Sequence, residues 1–503
     1  MIRIRTGRTR SKSYGLGAIA LAGAVIAFVF AATGSADPPA AGLNCQASGP
    51  EGKIEGRGAT FQFVAQMTFI QGFQNDECGP VGSDVGGRMV IYNDAFNLTG
   101  TGSTQGPAGL TGSGAGRRGM SCRTDAFAGS DIPYDVNTLG QLNGNPGAIT
   151  GGCTAFGAYA PLFQPTPNPY PNGNDDGGIQ IMSFPVAISS VVVGIDFGGT
   201  AGCPNAASTA VQITGPQLSQ IYGGEIANWN TIVPGCNLTI KRAVRQDDSG
   251  TTQNFKGYLQ KVDGTRGGAQ CDSTRTWNSL YLASPNTQWP GDATGSTTNC
   301  QSPVIVPATS GGPALLALCT TTAGAVCYAD AADVKNIAGV DTTLTKARIR
   351  NGDNTSFQGP FGANLGTVNC SQTIFLPNNS AVGLDPTDSW AFNQPSGGAT
   401  GTNHANVTNS GPLYPICGMT WDLVYTGIGE GAASANQPIS RLNDNQRRTL
   451  YSYVSYILSK EGQDLLTSNF YQRIAQSTID TFRTQFQANF SSACTSFPDP
   501  PCQ

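Results

Sequence analysis

Hydrophobic residues in this chain come in short dense runs separated by polar, glycine-rich stretches. The runs alternate between strand-like and helix-like spacing. Lys53-Ile54 leads through Gly56-Arg57-Gly58 into Phe61, Ala65, Phe69 and Phe73 at four-residue spacing, with Val64 and Met67 beside them. That predicts a short strand, a glycine turn and a helix with one apolar face, capped at Thr60. Residues 89–92 and 126–130 read as strands. Residues 179–182, 184–188 and 191–195 have buried-strand composition, and 419–424 repeats it. Both are places where the chain is expected to cross between two lobes. Pro216, Leu218, Ile221 and Tyr222 mark a helix, 311–318 a helix of small residues, and 325–328 a strand. From Asn443, the expected N-cap, to Phe490 the pattern is mostly helical, with stripes at Leu450, Val454, Ile457 and Leu458 and at Phe482 and Phe486. Strands alternating with helices place the chain in the α/β class.

One stretch carries more chemistry than the rest. Ala243-Val244-Arg245-Gln246-Asp247-Asp248-Ser249-Gly250-Thr251-Thr252 lies between a strand-like run and a helix-like run with Phe255, Tyr258, Leu259 and Val262. Ser249 or Thr251 falls at the helix N-cap. A helix start offers free N–H groups and partial positive charge. Gly250 lets the backbone approach a ligand, and Arg245 has Asp247 two residues on to orient it. Together these suit a small tetrahedral oxyanion. The competing reading is an ordinary capped helix beside a surface arginine. Thr60 and Phe61 form a second such helix start. Gly100-Thr101-Gly102-Ser103 is a glycine-rich loop with hydroxyls, and residues 107–124 read as an insertion in which Arg117 and Arg118 are solvated loop charges. Asp131 ends a short apolar strand. A carboxylate there tolerates an oxyanion only if the ligand brings a proton to donate.

Composition narrows the classes. Charged residues make up 12% of the 503 positions, about half the usual ~25%, which is unlike a nucleic-acid binder. Residues 1–36 read as an export signal: a basic start (Arg3, Arg5, Arg8, Arg10, Lys12), an apolar run over 15–32, and the small residues Gly34-Ser35-Ala36. An uncleaved membrane anchor is the alternative. Cleavage removes five cationic residues (those just named) and no acidic one, so the mature chain is more acidic than the net −4 of the full sequence. An anion would then be held by local donors, not by net charge.

The 14 cysteines agree with export. Sequential neighbours are the expected pairs: Cys45/Cys78, Cys122/Cys153, Cys203/Cys236, Cys271/Cys300, Cys319/Cys327, Cys370/Cys417 and Cys494/Cys502. A metal site has little to draw on, since there is no Cys-x-x-Cys and His404 is the single histidine. No metal and no cofactor are expected.

Several segments, in order, resemble one family: Gly-Arg-Gly-Ala-Thr-Phe (56–61), Gly-Thr-Gly-Ser (100–103), Ala-Gly-Ser-Asp-Ile-Pro (128–133), Phe-Pro-Val (184–186), Ile-Tyr-Gly-Gly-Glu-Ile-Ala-Asn-Trp (221–229), Arg-Gln-Asp-Asp-Ser-Gly-Thr-Thr (245–252), Gln-Trp-Pro (288–290) and Ala-Gly-Ala-Val-Cys-Tyr (323–328). The chain is similar to the PstS-like phosphate-binding proteins of ABC transporters, over about residues 54–490. The resemblance implies a two-lobe periplasmic-binding-protein type II fold with hinge strands and extra disulfide-stapled loops. Lobe one would be 46–196 plus 416–490, lobe two 197–415, with a tail over 491–503. It implies inorganic phosphate as ligand, held by Thr60, Phe61, Ser103, Asp131, Arg245, Ser249, Gly250 and Thr251, with Asp247 supporting Arg245. It also implies an ABC importer as partner, a monomer, and a secreted or cell-surface location. The chain departs from the family pattern at the insertion after Gly106 and at Asp248, where many relatives have Gly or Ser. Asp248 adds a negative charge near the site.

Three function classes follow: a phosphate receptor with no catalytic residue, a secreted phosphatase on a similar scaffold, and a surface or structural protein that has lost the ligand. The receptor is the expected class.

Overall fold

The computed structural model describes residues 53–73, 90–93, 112–121, 125–131, 180–204, 211–264, 275–281, 286–291, 304–308, 311–350, 356–364, 366–370, 413–426 and 444–494. The strands are β1 (Ile54–Gly58), β2 (Val90–Tyr92), β3 (Phe127–Ser130), β4 (Gln180–Ile195), β5 (Gln212–Thr214), β6 (Lys241–Arg245), β7 (Val304–Ala308), β8 (Ala325–Asp330), β9 (Thr345–Lys346), β10 (Arg348–Arg350) and β11 (Cys417–Thr426). The helices are α1 (Phe63–Gly72), α2 (Ser113–Ser121), α3 (Gly215–Gly223), α4 (Gly250–Asp263), α5 (Trp277–Tyr281), α6 (Gly311–Thr320), α7 (Ala331–Asn336), α8 (Val340–Thr343), α9 (Asp444–Ile457), α10 (Lys460–Leu465) and α11 (Gln476–Cys494). The last helix overruns the expected start of the tail at 491.

The strands join in the order β2-β1-β3-β11-β4-β8-β6-β7, with β9 also on β4, and β5 and β10 pair separately. The arrangement has two parallel groups. In one, β1 lies parallel to β2 and β3. In the other, β6 lies parallel to β7 and β8. The antiparallel pair β4–β11 stands between them, with β3 antiparallel to β11 and β8 antiparallel to β4. The apolar runs read from sequence as three pieces form one 16-residue strand, β4. Its residues up to Ser190 pair with β11, and Val191 to Ile195 pair with β8. Pro185 has no N–H to donate, and the ladder shifts register between Thr420 and Trp421, opposite it.

Helices cover the parallel groups as parallel sheets require. In the first group α2 packs on β1 and β3. In the second, α4 packs on β8, and α6 on β6, β7 and β8. The α1 helix departs from expectation. Residues Phe63 to Ile70 are buried on every side, not along one face. Its polar Gln66, and Gln62 just before the helix, survive burial because they donate to Asp422 of β11, at 2.9 Å and 3.1 Å. The Gln66 Oε1 accepts from Tyr453 at 2.5 Å. Under α4, Phe255 stacks on Tyr328 with centroids 4.6 Å apart, and Tyr222 meets Phe255 edge-on at 4.7 Å. Such pairs add roughly 0.5–1.5 kcal/mol beyond area burial. The α3 helix has its signals in full: a capping box between Thr214 and Gln217, and Gly224 in the left-handed conformation after it.

Three of the expected disulfides are present: Cys203–Cys236, Cys319–Cys327 and Cys370–Cys417. The other expected pairs, the export segment 1–36, the cap at Asn443 and the tail beyond residue 494 lie outside the described residues. No helix among the described residues is long and apolar enough to cross a membrane.

Residues 107–124 are not simply a loop insertion, because 113–121 form a helix. Its glycines serve close packing: a Cβ at Gly116 would lie 2.5 Å from the Gly129 carbonyl oxygen and 2.9 Å from the Gly58 Cα. Gly58 is equally constrained, with φ +145° and a would-be Cβ 1.9 Å from the Gly129 oxygen. Because the obstacle is backbone, Gly58→Ala is expected to destabilise the protein by about 3 kcal/mol or more. Denaturant unfolding checks this, and a loss under ~1 kcal/mol would contradict the packing argument.

Candidate anion site

Strand β6 ends at Arg245, and Asp131 and Thr60 lie one and two residues beyond the ends of β3 and β1. This follows the rule that ligands sit at the carboxyl ends of parallel strands. The β6 strand closes on Arg245, which is 1% exposed. Arg245 Nε donates to Asp247 Oδ1 at 2.8 Å and Nη2 donates to Asp247 Oδ2. Two parallel charge-assisted bonds fix the guanidinium plane. Burial works against the charged form, but the charge and hydrogen bonds of Asp247 outweigh it, helped by Tyr328 and Asp131, and raise the Arg245 pKa. Arg245 Nη1 reaches across to Thr60 Oγ1 at 3.1 Å.

Helix α4 starts at Gly250, five residues after Arg245. Ser249 is its N-cap, accepting from Thr252 N at 3.2 Å. The first helical residues, Gly250 and Thr251, have no acceptor one turn back within the helix. The Ser249 peptide is held by a residue that sequence reading missed. Asn286 Oδ1 accepts from Ser249 N at 3.1 Å and Asn286 Nδ2 donates to Ser249 O at 2.6 Å. Lys256, buried on α4, holds that segment by donating to the carbonyls of Asn286 (2.6 Å) and Gln288 (2.7 Å). The Gln-Trp-Pro motif therefore supports the anion loop. Tyr328 is a second missed support: its hydroxyl accepts from Arg245 N at 3.3 Å and lies 2.8 Å from Thr252 Oγ1.

Thr60 is not an N-cap. It opens a single 3-10 turn, Thr60–Gln62, that precedes α1 and has Ala59 at its N-cap position with no side-chain cap. Its hydroxyl is the acceptor for Arg245 instead. The turn is fixed from several sides: Ala59 N donates to Gly129 O at 2.9 Å, Tyr92 OH to Ala59 O at 2.9 Å, and Gly58 N to Asn93 Oδ1 at 2.9 Å. The Phe61 carbonyl accepts from Tyr471 OH at 2.6 Å.

Asp131 follows β3 and is 3% exposed. Thr420 Oγ1 donates to its Oδ1 at 2.8 Å. Ser113 Oγ accepts from Asp131 N at 3.0 Å and donates to Oδ2 at 3.3 Å. Burial pushes the Asp131 pKa up to about 7, although Thr420, Arg245, Ser113 and Arg117 all pull it down. Gly250 faces it: a Cβ on Gly250 would sit 2.4 Å from Asp131 Oδ2 and 2.3 Å from Ser113 Oγ. Only glycine lets the start of α4 lie against these groups.

The structure thus brings Thr60, Phe61, Asp131, Arg245, Asp247, Ser249, Gly250 and Thr251 together. Ser103 lies outside the described residues. Ser113, which occupies the site, was missed because Thr111-Gly112-Ser113-Gly114 repeats the Thr-Gly-Ser of residues 101–103. Arg117 is not a solvated loop charge: its side chain is 16% exposed and pairs with Asp248. Among the described residues no group of three or more His, Cys, Asp or Glu could hold a metal ion.

Known proteins share this fold. Residues 172–378 match the model of the PBP superfamily domain. The phosphate-binding protein PstS of Xylella fastidiosa (strain Temecula1 / ATCC 700964) is 32% identical over 120 residues, 22% of this chain. That match spans 28% of the length of the curated relative. A phosphate-binding protein from Stenotrophomonas maltophilia superposes with TM-score 0.51 at 14% identity, covering 87% of this chain and 95% of the other. A high-affinity periplasmic phosphate-binding protein (PfluDING), solved with phosphate, gives 0.52 at 18% identity, covering 89% and 99%. These structural likenesses show a PBP-like fold, as the resemblance implied.

The Asp131 pKa gives a test of the site's electrostatics. Between the ordinary value of 3.8 and about 7, the folded protein keeps a proton that the unfolded chain has released. Its contribution to stability is therefore greatest at low pH and falls as pH rises through that window. Without added anion, wild type is expected to lose up to about 4 kcal/mol more than Asp131→Asn between pH 4 and pH 7.5. Parallel pH profiles of the two proteins in urea would contradict the assignment.

Proposed function

We propose that this protein captures inorganic phosphate between two lobes, 46–196 plus 416–490 and 197–415, hinged on β4 and β11. The observation that carries the reading is the pairing, in one buried place, of an ion-paired arginine with a carboxylic acid. Arg245, oriented by Asp247, supplies charge. Thr60, Ser113 and the N–H groups of Phe61, Gly250 and Thr251 supply neutral donors, with Ser249 fixing the helix start. Ser113 takes the role that the resemblance gave to Ser103.

Asp131 supplies discrimination. Phosphate at neutral pH still carries a proton and donates it to the carboxylate. Sulfate carries none, so once Asp131 is ionised, above about pH 7, two acceptors would face each other in a dry site, at a cost of several kcal/mol. The PstS relative and the phosphate-bound structural neighbour support phosphate as the ligand. We further propose export directed by residues 1–36 and delivery of phosphate to an ABC importer. The role is binding, not turnover.

At a pH above the Asp131 pKa of about 7, phosphate is expected to raise the thermal midpoint of denatured, desalted and refolded protein, by an amount equivalent to about 2.7 kcal/mol at a hundredfold excess over Kd, and sulfate is expected to leave it unmoved. Absence of any shift with phosphate would sink the receptor reading. In Asp131→Asn the gap between phosphate and sulfate should narrow. Arg245→Lys removes the bidentate pair with Asp247 and is expected to weaken phosphate binding roughly a hundredfold. Calorimetric titration reads this directly, and an affinity within threefold of wild type would refute the role of Arg245.

A further inference from the structure

The anion loop is held from the α2 side as well. Arg117 Nη2 lies 3.5 Å from Asp248 Oδ2, with the two side chains 16% and 11% exposed. Gly114 N donates to the Asp248 carbonyl at 3.3 Å. Gly114 makes room for this contact, since a Cβ there would meet Asp248 Oδ2 at 2.2 Å. From the opposite side Asn286 N approaches Asp248 Oδ1 at 3.4 Å. Helix α2 packs on β1 and β3, whereas Asp248 follows β6. The pair therefore joins the two strand groups next to the Arg245–Thr60 bond.

We propose that Arg117 and Asp248, seated in the notch at Gly114, form a latch that engages when the lobes close and sets how slowly the bound anion leaves. This rests on the phosphate reading. Asp248 has two opposed effects. Its charge repels an anion held nearby, and its pairing with Arg117 holds the lobes together. The repulsion is blunted because Arg117 sits on the same carboxylate. The pairing exists only across the junction, so it is lost whenever the lobes part. The latch thus turns an acidic residue beside an anion site into a brake on release.

The test is a radiolabelled phosphate chase on the full chain, comparing wild type with Asp248→Asn, Arg117→Gln and the double variant. Each single change is expected to speed release roughly three- to tenfold, and the double variant no more than either alone. Gly114→Ala, which crowds the carboxylate without removing a charge, should also speed release. Release from Asp248→Asn at the wild-type rate, or slower, would overturn the latch, the slower result meaning that repulsion dominates. Wild type that shows no phosphate-dependent thermal shift would instead bring down the phosphate reading, and the latch with it.

Discussion

Arg245 is a full positive charge with 1% of its surface exposed. An unpaired buried charge is too costly for a fold of ordinary stability. Asp247, two residues on, makes it tolerable with a bidentate pair. This pair dictates the local architecture. It requires a tight turn after β6, which brings Ser249 to the N-cap of α4 and aims the helix start at the same place as the guanidinium. Because Asp247 occupies Nε and Nη2, Nη1 is left to cross to Thr60. The contact between the two strand groups thus grows out of the way one buried cation is neutralised.

Glycine makes the convergence possible. Gly58 and Gly116 let β1, α2 and β3 approach backbone to backbone, Gly129 leaves room for the Gln62 and Tyr92 side chains, and Gly250 lets α4 lie against Asp131 and Ser113. A side chain at any of them would separate the donors by more than a hydrogen bond tolerates. The price is a set of turns with few alternatives, each fixed by side chains from distant segments. Asn93, Asn286 and Tyr328 have that task, and none of them is a proposed donor to the ligand.

The same burial that strengthens the site's electrostatics keeps Asp131 near the middle of its titration around neutral pH. Its partners Thr420 and Ser113 are hydroxyls that can donate or accept, so the site holds either protonation state without a structural change. A site that adds hydroxyl and backbone N–H donors to one arginine is consistent with a chain whose charged content is only 12%.

The sequence by itself determined the α/β alternation, the positions of β6 and α4 and the Arg245–Asp247 spacing, and it pointed to the neighbour pairing that the three described disulfides follow. These features depend on neighbours within a few dozen residues. The ordered motifs also carried a family resemblance and a proposed site, including Asp131, whose role no local rule assigns. Tertiary structure alone decided that Ser113 stands in the site, that Thr60 accepts from Arg245 and caps nothing, and that Arg117 meets Asp248 from 131 residues away. The glycine-rich stretch around Ser113 looked like loop because glycine disfavours helix locally. Its helix is stabilised by close packing on β1 and β3, a long-range term that no local pattern reports. Asn286 and Tyr328 were illegible for the same reason: their partners are fixed by how the sheet assembles, and their own neighbours in sequence carry no mark of it.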